Sequence, residues 1–174
     1  MSERNVLVLI CRSYQAAEQA VHLLQAGCFN VAKVSIVGRD YYGLGAGAPG
    51  SAKDGKFLLE VSAFWCRMWN LLSGDAFFKV EGIGSFIVAG EMSQQMRAAS
   101  TNPLLFHAYS PLRACMHAIG ITNGNLVRYE MALRSDQFLV IVHGNQAEIV
   151  AAGSILQASE KFSIARDKHS ASVG

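Results

Sequence analysis

Charge is scarce in this chain. Asp, Glu, Lys and Arg supply 16% of its 174 residues while hydrophobic residues supply 51%, against about a quarter charged in an ordinary soluble domain. That balance predicts more apolar surface than one small core needs, with the excess given to a partner subunit, a membrane or a ligand cavity. The net charge is only +2, and no run of Lys and Arg interleaves with aromatics, so nucleic acid is not an expected partner. Cysteine pairs are missing too: Cys11, Cys28, Cys66 and Cys115 form no CxxC and no metal-binding comb. Buried thiols in a reducing cytoplasm are the expectation.

An uninterrupted membrane-length run is also absent. A spanning helix needs about 20 mostly apolar residues, and Glu60, Arg67, Asp75, Lys79 and Glu81 break every candidate. Each would cost about 2.5–3.5 kcal/mol at the bilayer midplane. A helix lying on a membrane, or packing against copies of itself, stays open. The first apolar run, Val6–Ile10, is too short for a signal-peptide core and has no small-residue cleavage site, which predicts a cytoplasmic protein, with membrane-peripheral placement as the alternative.

What is present is an internal repeat. Residues 6–26 can be laid over residues 138–158 without a gap, so that Leu7, Val8, Ala20, Leu24, Gln25 and Ala26 fall on Leu139, Val140, Ala152, Leu156, Gln157 and Ala158. Val6–Ile10 and Phe138–Val142 are apolar runs of strand length. Ser13 and Asn145 follow as helix N-caps, and Gly27 stands where the first helix should stop. Ala17, Ala20, Val21 and Leu24 make one buried helical stripe, and Ile149, Ala152 and Leu156 another. Val34–Val37 and Phe162–Ile164 read as the returning strands, with Arg39-Asp40 and Arg166-Asp167 as exposed ion pairs at their ends.

The expected fold is therefore α+β, a single domain over 1–174. Its frame is a ferredoxin-like pair of duplicated βαβ units, with a large apolar α-helical insert between strands 2 and 3. The first unit takes 5–40, the Gly-rich loop and insert 41–122, a helix from Asn123 or Asn125 to about Ser135 plus the second unit 123–167, and a polar tail 168–174. Within the insert, residues 57–74 read as a helix carrying Phe57, Phe64, Trp65, Met68, Trp69, Leu71 and Leu72, Glu91–Ala99 as a polar helical stretch, and 112–119 as a last short helix.

Motifs for chemistry are incomplete. Gly50-Ser51-Ala52-Lys53-Asp54-Gly55-Lys56 matches part of a phosphate-binding loop, but Phe57 stands where Ser or Thr should hold magnesium. Cys115-Met116-His117, with His107 and Met96, suggests a soft-metal site, yet positions two apart on a helix do not share a face. No Ser-His-Asp order, paired-carboxylate motif or complete dinucleotide fingerprint is present. The expectation is no catalytic residue, no metal and no cofactor. His143, at a strand end where Cys11 stands in the first unit, is the one ligand-contact candidate.

Several segments resemble the bacterial general stress protein (heat-induced stress protein) family. They are Lys33-Val34-Ser35-Ile36-Val37-Gly38-Arg39-Asp40-Tyr41, Ala63-Phe64-Trp65 through Met68-Trp69-x-Leu71-Leu72-x-Gly74-x-Ala76-Phe77-Phe78, Gly82-Ile83-Gly84, and Ile119-Gly120-Ile121 through Arg128-Tyr129-Glu130-x-Ala132-Leu133 to Phe138–Gly144. The resemblance spans roughly residues 5–145 and implies a stress-associated, non-enzymatic role with no catalytic residues to carry over. Family members are Gly-rich and almost uncharged in the central hairpin, which implies membrane association. Cys66-Arg67, Asn70, Asp75, Lys79 and Glu91-Met92-Ser93-Gln94-Gln95 mark this chain as a version adapted to water.

Three functions follow as expectations. The first is a homo-oligomer assembled through Phe64, Trp65, Met68, Trp69, Leu72, Phe77, Phe78, Phe86 and Ile87, since aromatics and Met are enriched in interface cores. The second is a peripheral membrane protein using the same aromatic insert. The third is a small-molecule sensor or enzyme with a pocket between sheet and insert.

Overall fold

The first apolar run is a strand: in the computed structural model, which describes residues 5–41, 55–80, 84–94, 97, 116, 121, 123–157 and 163–167, β1 spans Asn5–Cys11. Helix α1, Tyr14–Ala26, follows at once. Ser13 is extended at its N-cap, and its Oγ accepts the Ala16 amide at 3.2 Å, satisfying one of the free first-turn donors. The stripe Ala17, Ala20, Val21 and Leu24 is fully buried. The left-handed residue that ends the helix is Cys28 (φ 60°) rather than Gly27. Gly27 is required for another reason: a Cβ there would meet Ile155 Cδ1 at 2.6 Å, so the glycine lets the two repeat helices approach.

A single 3-10 turn leads into β2, Val34–Arg39. The insert then supplies α2, Gly55–Leu72, and the strands β3, Asp75–Val80, and β4, Gly84–Gly90. Residues 75–90 of the insert thus form a hairpin, not helix. The run Phe86-Ile87-Val88-Ala89 has no polar alternation because both of its faces are covered: Ile87 and Ala89 join one core, Phe86 and Val88 the other. A short run of this kind cannot be told from a helix by periodicity.

After the insert come α3, Asn123–Arg134, β5, Phe138–Gly144, α4, Gln146–Gln157, and β6, Ser163–Asp167. Helix α3 stops at the left-handed Asp136 (φ 59°), with the Gln137 amide donating to Ala132 O at 3.0 Å. Helix α4 opens with a reciprocal capping box: the Glu148 amide donates to Asn145 Oδ1 at 2.9 Å, and the Asn145 amide to Glu148 Oε2 at 2.8 Å.

The six strands form one antiparallel sheet in the order β3-β4-β2-β5-β1-β6. One face packs on α1, α2 and α4 through Leu7, Leu9, Ile36, Phe64, Trp65, Val140 and their neighbours. The other packs on α3, Met92, Met116 and Ile121 through Val6, Val8, Val37, Val88 and Ile141. The domain is therefore α+β in three layers. Double coverage answers the apolar excess of the sequence, because every central strand buries both of its faces.

Register sorts the loops between two ends of the sheet. Cys11 is opposite Phe138 and Arg39 opposite Phe86, which places the exits of β1 and β2 beside the entry of β5. Asn5 is opposite Gly144 and Ser35 opposite Gly90, which brings the entry of β2 and the exits of β4 and β5 to the other end. The Gly-rich loop 42–54, most of the residues 95–122 and the tail 168–174 lie outside the described residues.

Candidate ligand-binding site

At the first end, the β1–α1 turn, the exit of β2, the start of α2 and the α3–β5 turn converge on a cleft of about 310 Å³. Tyr14, Tyr41, Phe57 and Phe138 form its apolar wall, and Arg12, Gln15, Ser135 and Asp136 its polar rim. The rings support one another edge-on. Tyr14 and Phe57 centroids are 6.1 Å apart at 65°, and Tyr41 and Phe57 5.2 Å apart at 85°, the geometry that aromatic quadrupoles prefer. Phe57 is thus the shared wall, carried into the site by the insert.

Both tyrosines stay protonated at neutral pH. Burial, then the charge of Asp136, pushes Tyr41 up to about 12. Burial also raises Tyr14, whose hydroxyl donates to Glu60 Oε2 at 2.7 Å. Arg39 pairs with Asp136 Oδ1 at 2.7 Å and donates to Arg134 O at 3.3 Å. Asp40, expected at an exposed strand end, is instead buried at 4% exposure, and its amide donates to Ser85 O at 2.9 Å. Arg12 has no ion-pair partner among the described residues.

The opposite end is built from polar groups that meet each other. His143 Nε2 pairs with Glu91 Oε2. Lys33 Nζ reaches Glu148 Oε1 at 2.5 Å, and with the Asn145 amide it holds the Glu148 carboxyl below the ordinary carboxylate range. Gly90, at φ +101°, lets β4 pass against β2, where Ser35 Oγ accepts the Met92 amide at 2.9 Å. His143 lies here, away from the cleft.

No protein-family model, curated protein or solved structure matches this chain.

The interface candidates are mostly core. Phe64, Trp65, Met68, Leu72, Phe86 and Ile87 are between 0% and 2% exposed within a single chain, so they cannot present a surface to a partner while the fold stays closed. Trp69 is partly buried and meets the Phe77 ring at 5.8 Å, and Phe77 on edge strand β3 is 38% exposed. The side chain of Phe78 lies outside the described residues, as do Cys115, His117, His107 and Met96. Among the described residues no cluster of three or more His, Cys, Asp or Glu is placed to hold a metal, and no helix is long and apolar enough to cross a membrane.

The cleft residues Arg12 and Tyr14 carried no motif. Their signal was the repeat: strand-end reasoning that singled out His143 applies equally to Cys11 and the Arg12 beyond it, and the cleft lies at that copy.

Proposed function

We propose that this chain is a small-molecule-binding domain of the general stress protein kind, working as a sensor or carrier rather than an enzyme. The observation that carries the reading is the cleft of about 310 Å³ where insert and sheet meet, walled by four aromatic rings and rimmed by polar groups. That size is at the lower end of the roughly 300–1,000 Å³ usual for ligand pockets, and an apolar wall with a few polar groups is their usual lining.

Binding without turnover is favoured by the chemistry at the rim. Tyr41, pushed up to about 12, is a poor proton donor near neutrality. Asp136 is committed to Arg39, and the imidazole of His143 is at the far end of the sheet, paired with Glu91. The contiguous order β2-β5-β1-β6, with α1 and α4 on one face, supports a ferredoxin-like duplication as the frame. The hairpin β3–β4 extends that frame outside β2, and α2 brings Phe57 to it.

Titration of isotopically labelled protein with a collection of aromatic fragments tests the reading. Shift changes clustered on the amides of Ser13, Gln15, Tyr41 and Asp136 are expected, and Phe57→Ser should abolish them. Fragments that leave those amides unmoved at millimolar concentration reject it.

A further inference from the structure

Resting on that reading, we propose that the cleft selects a small, mainly apolar ligand bearing an anionic group, with Arg12 as the residue that reads the charge. The cleft sets the size: about 310 Å³, lined by Tyr14, Phe57, Tyr41 and Phe138, leaves room for one or two fused rings.

The charge follows from which rim groups are already engaged. Asp136 is held by the Arg39 guanidinium at 2.7 Å, and Glu60 accepts the Tyr14 hydroxyl at 2.7 Å. Arg12, by contrast, lines the cleft and pairs with no carboxylate among the described residues. A guanidinium offers a fork of donors that fits a carboxylate or phosphate in two-point fashion. Helix α1 also begins at the cleft and has no acidic residue in its first turn, so its N-terminal dipole adds to the attraction for an anion.

An aromatic cage for a cation is the competing design, and the geometry disfavours it. Such a cage presents open ring faces to the ligand. Here Tyr14 and Tyr41 are only 6% and 5% exposed, and their rings turn toward Phe57. Asp136 and Glu60, which would complement a cation, are already engaged.

Three matched probes test the proposal: naphthoate, naphthalenemethanol and naphthylmethylammonium, titrated calorimetrically into the full chain at low and at high salt. Naphthoate should bind at least about tenfold more tightly than the neutral alcohol, which corresponds to about 1.4 kcal/mol, and the preference should shrink with salt because Arg12 is exposed. Arg12→Gln should erase the preference while the alcohol still binds as before, and Arg12→Lys should restore part of it. Equal binding of acid and alcohol, or a preference that survives Arg12→Gln, overturns the charge assignment and leaves the binding reading standing. Preference for the ammonium probe overturns it in favour of the cage. Binding of none of the three removes the cleft as a ligand site altogether.

Discussion

The two ends of the sheet use similar side chains to opposite effect. At the His143 end the described polar groups answer one another: His143 meets Glu91, Lys33 meets Glu148, and Glu148 accepts the Asn145 amide. At the Arg12 end one pair, Arg39 and Asp136, is closed, while Arg12 stands beside an apolar concavity. The comparison shows why a histidine at a strand end is a weak guide to a site. Polar groups that satisfy each other pin elements together, whereas an unmatched cation at the rim of a cleft has binding capacity left over.

The contrast breaks most visibly at Gly90. A Cβ there would meet Val34 O at 2.3 Å and Ser35 Cα at 2.9 Å, on a backbone at φ +101°. Gly90→Ala is expected to cost about 3 kcal/mol or more, because steric overlap adds to left-handed strain. Denaturant unfolding measures this directly, and a loss below about 1 kcal/mol would show that the packed end tolerates rearrangement.

A smaller effect belongs to Glu148. Lys33 and the Asn145 amide lower its pKa in the folded chain, so this group favours folding fully above its unfolded pKa. The contribution fades as pH falls through the lowered folded value. Glu148→Gln should therefore narrow the gap in stability between neutral and acidic solution. Glu18, lowered by its hydrogen bond to Arg67, stays in place as an internal reference. An unchanged acid limb in thermal melts would mean that the closed end is not electrostatically closed.

The smallest effect sharpens the comparison from the other side. Arg12→Gln should move folding stability by no more than about 0.5 kcal/mol, because the side chain is exposed and pairs with no carboxylate among the described residues. A clear loss in the same unfolding experiment would reveal a structural partner and recast the open end as a second closed one.

Much of the frame was legible in sequence. Ser13 and Asn145 are caps, the stripe on α1 is buried, and the helix beginning at Asn123 ends just before Ser135. Those features are local: periodicity and capping chemistry act within a few residues. The hairpin was not legible, because β4, covered on both faces, loses the alternation that marks a strand. Nor could composition distinguish an interface from an interior. Phe64, Trp65 and Met68 satisfy either description, and only the apposition of Phe138 to Phe64 (5.7 Å, 85°) and Trp65 (6.1 Å, 39°) decides for the interior. The cleft eluded sequence for the same reason, being assembled from residues between Arg12 and Phe138 that no local rule connects.

The pairing of β2 with β5 carries a kinetic consequence. Val34 lies across from Val142, and the whole insert intervenes in the chain between them. The middle of the sheet cannot zip from a turn; it must wait for a distant segment to arrive, and the entropy of closing so large a loop precedes any reward from contact. Refolding should accordingly run on the slow side, roughly milliseconds to seconds, with α1 and the β3–β4 hairpin able to form long before the sheet becomes continuous.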